Sequence, residues 1–317
     1  MRIVILDGHT VNPGDLSWAP VSALGELSVF DRTERQLIAG RCADATIVLS
    51  NKTPLMRQEL DALPSLRYIG VLATGYNNID VQAATLRGIT VSNIPGYGTP
   101  SVAQTVFAHI LEHTNRIALH SEAVRRGEWE KCADFSFTSA PVSELSGKTM
   151  GLVGLGSIGN AVADIALAFG MRVIAFTPSM RPSHPKVTVT DLDRLLRESD
   201  IVSLHCPLTA SNRGMIGTRE LSIMKPSAIL INTARGPLVD EPALRHALDS
   251  GRIAGAGVDV LSHEPPCDGN PLIGAPNCTV TPHIAWASRE ARTRLIAAAA
   301  SNIRAYLDGK PQNRVSP

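Results

Sequence analysis

Two doubly wound α/β domains built on parallel sheets, one inserted into the other, are the architecture that this chain of 317 residues predicts. Three observations lead to it. Apolar runs of strand length alternate with stretches of helical spacing along most of the chain. A strand-like run, the glycine turn Gly154-Leu155-Gly156-Ser157-Ile158-Gly159 and an amphipathic run from Ala161 to Phe169 follow one another in mid-chain. The length accommodates two separate cores more readily than one.

In the N-terminal part, Ile3-Leu6, Glu26-Phe30, Thr46-Leu49, Tyr68-Leu72 and Thr90-Ser92 are strand candidates with helical stretches between them, as in a small parallel-sheet domain. Pro95, Gly96, Gly98 and Pro100 break that pattern. Ser101 then caps a run from Val102 to His120 that reads as one long helix crossing between the domains. Further strands are expected near Thr149-Val153, Arg172-Phe176, Ile201-Leu204, Ala228-Asn232, Ala254-Val260 and Thr279-Thr281, alternating with helices. An alanine-rich helix from Arg289 to Leu307 is expected to return to the first domain, making it discontinuous: residues 1–99 plus 287–317, with 100–286 inserted. No internal repeat or low-complexity segment interrupts the series.

Composition narrows the function. A net charge of +1, from 30 basic and 29 acidic residues, gives no large field to hold nucleic acid or an anionic membrane, so any anion is bound locally. Cys42, Cys132, Cys206, Cys267 and Cys278 are odd in number and lack metal-ligand spacing, which points to reduced thiols in the cytoplasm and to no metal site. The first strand, Arg2-Ile3-Val4-Ile5-Leu6, starts at once and leaves no room for a signal segment. The alanine-rich stretch Leu295 to Ala300 is far too short to span a bilayer.

Thr149-Met150-Gly151-Leu152-Val153 leads directly into the glycine turn. In that setting Gly154 permits the tight turn, Gly156 lets the backbone approach a pyrophosphate, and Gly159 lets helix and strand pack closely. Ser157 and Ile158 offer N–H groups at a helix N-terminus, where phosphates are favoured. The ordinary alternative is a glycine-rich loop in an α/β domain. The next strand should end at an acidic residue that binds the adenosine ribose hydroxyls, yet Thr177 stands there. Thr177-Pro178-Ser179-Met180-Arg181 holds no carboxylate to repel a 2′-phosphate, and Arg181 or a hydroxyl could bind one. The expected cofactor is therefore NADP or NAD, with the balance towards NADP; the alternative for Arg181 is a solvated surface arginine.

Three ionisable residues follow strand ends, where ligands bind in such folds: Arg235 after Ile229-Leu230-Ile231, Glu264 after Gly257-Val258-Asp259-Val260, and His283 after Val280-Thr281-Pro282. A guanidinium grips a carboxylate and a neighbouring keto oxygen together. A histidine bonded to a carboxylate is held in one tautomer and favoured as imidazolium, the state that protonates a carbonyl oxygen as hydride arrives. Singly, each has an ordinary reading: a surface ion pair, an acid before a double proline, a satisfied core histidine.

With Asn232-Thr233-Ala234-Arg235-Gly236, Asp259 with Glu264-Pro265, and Thr281-Pro282-His283-Ile284-Ala285-Trp286, the chain resembles the D-isomer-specific 2-hydroxyacid dehydrogenase family over nearly its whole length. It also looks like the glycerate dehydrogenase or hydroxypyruvate reductase branch, through Ser50-Asn51-Lys52, Ala73-Thr74-Gly75-Tyr76-Asn77-Asn78-Ile79-Asp80 and Ser101-Val102-Ala103-Gln104. The resemblance implies a Rossmann cofactor domain inserted into a flavodoxin-like substrate domain, and a homodimer. It implies that Arg235 binds substrate, that Glu264 supports His283, and that His283 is the acid in reduction and the base in oxidation. It places the substrate carboxylate on the backbone of Ala73, Thr74 and Gly75, with Lys52 close by; a glycine loop presenting N–H groups suits an anion. Cofactor contacts fall on Val102, Ser157, Ile158, Cys206, Pro207, Asn212, Thr233, Ala234, Asp259 and Ala285, with Asp259 on the nicotinamide amide. Thr177 in place of the usual acid and Ala285 where many relatives have glycine are departures.

The activity implied is hydride transfer between NAD(P)H and a short 2-keto acid, hydroxypyruvate or glyoxylate, giving D-glycerate or glycolate. The rival from another class is a non-catalytic dinucleotide sensor of corepressor type; within enzymes, the rival is a phosphoglycerate or phosphite dehydrogenase.

Overall fold

The computed structural model describes residues 1–181 and 183–316, and the chain divides into two compact units. One is Met1–Gly98 together with the chain from Trp286 onward; the other is Thr99–Ala285.

In the first unit β1 (Arg2–Ile5), β2 (Glu26–Val29), β3 (Ile47–Ser50), β4 (Tyr68–Val71) and β5 (Thr90–Ser92) pair in parallel in the order β2-β1-β3-β4-β5. This is the flavodoxin-like order. Residues Val4, Val48 and Ile69 pack on one face, while Ile3, Ile5, Ile47 and Leu49 pack on the other. Strands covered on both faces read as unbroken apolar runs, which is why the sequence announces them. The terminal helix, Arg289–Leu307, joins the second of these faces through Leu295, Ile296, Ala299 and Ile303. Burying each such Leu or Ile contributes about 1.5–3 kcal/mol, so the chain's last helix is part of this core. Arg292 fastens its start, both guanidinium nitrogens lying 2.7 Å from Asp15 oxygens.

In the second unit β6 (Thr149–Val153), β7 (Arg172–Phe176), β8 (Thr188–Val189), β9 (Ile201–Leu204), β10 (Ile229–Asn232), β11 (Gly255–Val258) and β12 (Cys278–Val280) form a parallel sheet. The order is β12-β11-β10-β9-β6-β7-β8, so the strand sequence reverses between β6 and β9. Ligands of such sheets bind beyond the carboxyl ends of the strands at that switch point.

Two local expectations are corrected. The run expected as one helix from Val102 to His120 is a helix over Thr99–Asn115 followed by another over Ile117–Arg125. Arg116 between them has φ 51°, a left-handed residue that ends the first helix without the glycine or proline that would have signalled it. Ser101 therefore lies inside the first turn; instead of capping the helix it donates to the Ala285 carbonyl at 2.6 Å. The strand β8 was not foreseen, because two residues give no periodicity to read. Among the described residues no helix is long and apolar enough to cross a membrane.

The Thr99–Asn115 helix buries two histidines one turn apart, His109 and His113. They fit because β11 offers glycines opposite: a Cβ on Gly257 would come 2.7 Å from the His109 Cβ, and one on Gly255 2.8 Å from the His113 Nδ1. Loss of solvent lowers the pKa of both rings. In the unfolded chain each ring takes a proton below about pH 6.5, whereas the folded chain does so only at lower pH. The unfolded state thus binds more protons in that window, and stability falls as pH drops below about 6.5. Thermal unfolding followed from pH 7.5 to 5.5 should show this decline, and His113→Leu should flatten it; an unchanged slope in the variant would assign the acid sensitivity elsewhere.

Candidate active site

The carboxyl ends of β10, β11 and β12, which are neighbours in the sheet, carry the three ionisable residues in order. After β10 the buried Asn232 side chain shapes the turn: its Nδ2 donates to the Arg235 carbonyl at 2.9 Å, and its Oδ1 accepts from the Ala234 N–H at 3.0 Å. Arg235 is half-buried and donates through Nη1 to the Ala234 carbonyl. Gly236 follows, and a Cβ there would sit 2.0 Å from the Leu261 carbonyl carbon, so glycine alone allows this turn to lie on the loop after β11.

That loop is held by two carboxylates. Glu241 Oε1 accepts the Ser262 N–H at 2.7 Å and its Oε2 the Asn270 amide at 2.8 Å. Glu264 Oε1 accepts the Leu261 N–H at 2.9 Å, leaving Oε2 at 2.6 Å from Nδ1 of His283. The structure thus brings Glu264 and His283 together, with side chains 33% and 24% exposed. A carboxylate on Nδ1 fixes the Nδ1–H tautomer and leaves Nε2 as the other ring nitrogen.

His283 has φ 54°, in the left-handed region unusual for a residue with a side chain. Its N–H donates to the Asp259 carbonyl at 2.8 Å. The Asp259 carboxylate, 1% exposed, accepts from Thr281 Oγ1 at 2.6 Å and from the N–H groups of Ile284 and Ala285, each at 2.9 Å. Both carboxylate oxygens of Asp259 are committed to the segment that presents His283. The sequence singled out Asp259 but not this task, nor the roles of Glu241, Asn232 and Thr281.

The glycine turn passes a structural test for a dinucleotide. Gly154 has φ 103°, and a Cβ there would come 2.8 Å from the Cys206 nitrogen; at Gly159 it would come 2.3 Å from the Gly154 carbonyl oxygen. At Gly156 an added Cβ meets no described protein atom within 4 Å, so the space above it belongs to a ligand or to solvent. Gly156 is the N-cap of the Ser157–Ala168 helix and supplies no side-chain cap, leaving the Ser157 and Ile158 N–H groups for an anion. The buried Thr233 Oγ1 has no hydrogen-bond partner among the described residues. Cys206, Pro207 and Asn212 follow β9, where Asn212 closes the turn by donating to the Pro207 carbonyl at 2.8 Å. Val102 is buried on the Thr99–Asn115 helix, and Ala234 and Ala285 flank Arg235 and His283. Thr177 directly follows β7, its Oγ1 3.2 Å from the Ser179 hydroxyl, and Arg181 is exposed.

In the first unit Lys52 is exposed, and its N–H, with those of Asn51 and Thr53, converges on the Asp7 carboxylate. The Ala73–Gly75 turn is tied to the segment after β5: Ile94 N–H donates to the Ala73 carbonyl, and Thr74 Oγ1 donates to the Ile94 carbonyl. Among the described residues no cluster of three or more His, Cys, Asp or Glu could hold a metal ion.

The model of the D-isomer-specific 2-hydroxyacid dehydrogenase NAD-binding domain matches residues 107–285. This chain belongs to the D-isomer-specific 2-hydroxyacid dehydrogenase family. It is 44% identical to a hydroxypyruvate reductase of Blautia hydrogenotrophica over the full length of both chains. It is also 44% identical to a glycerate dehydrogenase of Methylorubrum extorquens, covering 88% of each. Among solved structures, an acyclic imino acid reductase in complex with NADPH and D-arginine superposes with a TM-score of 0.88 at 35% identity, covering 99% of this chain and 100% of that one. The family's chemistry is hydride exchange between a nicotinamide dinucleotide and a 2-hydroxy acid, and the glycine turn and the Glu264–His283 pair fit it.

Gly156→Asp tests the dinucleotide cradle. An aspartate at this N-cap caps the helix and complements its dipole, so the thermal midpoint should hold or rise, while its charge occupies the phosphate position. Dinucleotide affinity measured by fluorescence quenching should fall by more than about tenfold, the equivalent of some 1.4 kcal/mol. Unchanged affinity would remove the pyrophosphate from this turn.

Proposed function

We propose that this dehydrogenase reduces hydroxypyruvate or glyoxylate to D-glycerate or glycolate, preferring NADPH to NADH. The observation that carries the reading is the 2.6 Å contact between Glu264 and His283 at the end of β12, two strands from the Arg235 turn. The names of the two curated relatives favour a three-carbon hydroxy acid. The carboxylate-free run Thr177–Arg181 and the NADPH bound by the structural neighbour favour the phosphorylated cofactor.

In this reading the Arg235 guanidinium grips the substrate carboxylate and keto oxygen and polarises the carbonyl. The backbone of Ala73, Thr74 and Gly75 and the Lys52 ammonium serve the carboxylate. Thr233, Ser157, Ile158, the Cys206–Asn212 turn and the Thr177, Ser179 and Arg181 groups would hold the dinucleotide, which supplies a hydride when bound. The protonated His283 gives its Nε2 proton to the carbonyl oxygen: the N–H bond breaks, the O–H bond forms, and the ring becomes neutral. Glu264 keeps Nδ1–H in place throughout. In oxidation the neutral ring takes the hydroxyl proton back.

The enzyme acts in the cytoplasm as a homodimer. Its five cysteines are all free, as reducing surroundings favour. Ile117, Trp129, Phe135 and Val142 are exposed along one segment of the second unit, the kind of apolar surface that a second copy covers.

His283→Ala should lower kcat for hydroxypyruvate reduction by about 10²- to 10⁴-fold, the usual worth of a positioned acid, with dinucleotide affinity retained. Full turnover in that variant, or absence of wild-type turnover across hydroxypyruvate, glyoxylate and pyruvate, would overturn the assignment. Catalytic efficiency should be higher with NADPH than with NADH; the reverse discards the cofactor preference alone. Light scattering should return twice the chain mass, and Phe135→Glu should lower it.

A further inference from the structure

A second, buried imidazole lies within a hydrogen-bonded chain that the proposed chemistry does not use. His109 is 4% exposed on the Thr99–Asn115 helix. Its Nδ1 lies 2.7 Å from Thr279 Oγ1 and its Nε2 3.2 Å from Thr281 Oγ1. The Thr281 hydroxyl donates its one proton to Asp259 Oδ1 at 2.6 Å. That carboxylate and the Asp259 carbonyl hold the N–H groups of residues 283, 284 and 285.

The direction of each bond follows from the donor inventory. A carboxylate only accepts, so the Thr281 proton is spent on Asp259, and the Thr281 oxygen can take only an N–H from His109 Nε2. Burial keeps the ring neutral, so Nδ1 is unprotonated and accepts from the Thr279 hydroxyl. The protons then run one way: Thr279 to His109, His109 to Thr281, Thr281 to Asp259. A leucine would fill the space that Gly257 leaves for the ring, yet it would donate nothing. The Thr281 hydroxyl would lose the donor that orients it towards Asp259.

We infer that His109 is a positioning residue for the acid–base histidine: acting through Thr281 and Asp259, it holds the segment 281–285 in the geometry that presents His283 to substrate. This rests on the reading of His283 as the proton donor.

The experiment compares His109→Leu, His109→Gln, Thr281→Val and the His109→Leu/Thr281→Val pair in steady-state hydroxypyruvate reduction, with thermal midpoints as a folding check. His109→Leu should lower kcat about tenfold, as loss of the partner behind a reactive group commonly does, while KM and dinucleotide affinity stay within about twofold. Glutamine keeps an N–H donor and should restore most of the rate. Thr281→Val should reproduce the loss, and adding His109→Leu to it should cost nothing more, because the two act through one bond. A leucine variant with kcat near wild type overturns the inference. So does a glutamine variant no better than leucine, or a leucine deficit that adds in full to Thr281→Val, as a packing defect would. Full activity in His283→Ala would instead remove the acid–base reading beneath it, so the two failures are distinguishable.

Discussion

The buried Asp259 carboxylate is the constraint on which the site depends. Holding His283 at φ 54° is unfavourable by roughly 1–2 kcal/mol for a residue with a side chain. Hydrogen bonds to a charged group are worth about 1.5–3 kcal/mol each, and Asp259 accepts three from the segment 281–285. The strained turn is thereby the stable one, and the ring stands where Glu264 meets it. A buried charge is tolerable only when its lone pairs are used in this way. The arrangement is consequently stiff: losing one donor weakens the hold on its neighbours as well.

The parallel sheet supplies the placement and glycine supplies the closeness. Because β10, β11 and β12 are adjacent, residues far apart in sequence leave the sheet side by side. Gly236 lets the Arg235 turn touch the loop after β11, Gly257 admits His109, and Gly154 lets its turn rest on the residues after β9. Each is filled on the protein side, with an added Cβ closer than any real contact. Gly156 is the opposite case, open to anything that is not protein. Within the glycine turn, Gly154 and Gly159 are thus required by the fold itself, whereas nothing in the packing of the described residues requires a glycine at 156.

Much of the fold was legible because strands buried on both faces leave contiguous apolar runs, and β6, β7 and β9 fall on the runs expected for them. The two-residue β8 and the helix break at Arg116 were not, since one has no period and the other no glycine or proline. In the site, Glu264 and His283 stood out because each follows a strand by a few residues. The supporting groups were hidden by distance along the chain: His109 meets Thr279 across 170 positions and Glu241 meets Ser262 across 21. The clue within reach was two histidines at i and i+4 in step with the apolar positions Val102, Val106 and Ile110 of one helix, opposite a strand with glycines at i and i+2.

Two carboxylates serve His283, and their surroundings divide the labour. Glu264 touches the ring and is a third exposed, so in the proposed chemistry solvent can adjust as the ring gives up and regains its proton. Among the described residues the Asp259 carboxylate accepts hydrogen bonds from backbone N–H groups and the Thr281 hydroxyl, and it is shut from water, where a change of charge would be costly. Its donors never change protonation, so it is never asked to respond. Exchanging the two environments would put the rigid, buried charge against the proposed proton donor and leave the strained backbone to a solvated one. The same logic suits the positioning role proposed for neutral His109 behind Thr281: a buried support for an acid–base group serves best when its own charge stays fixed.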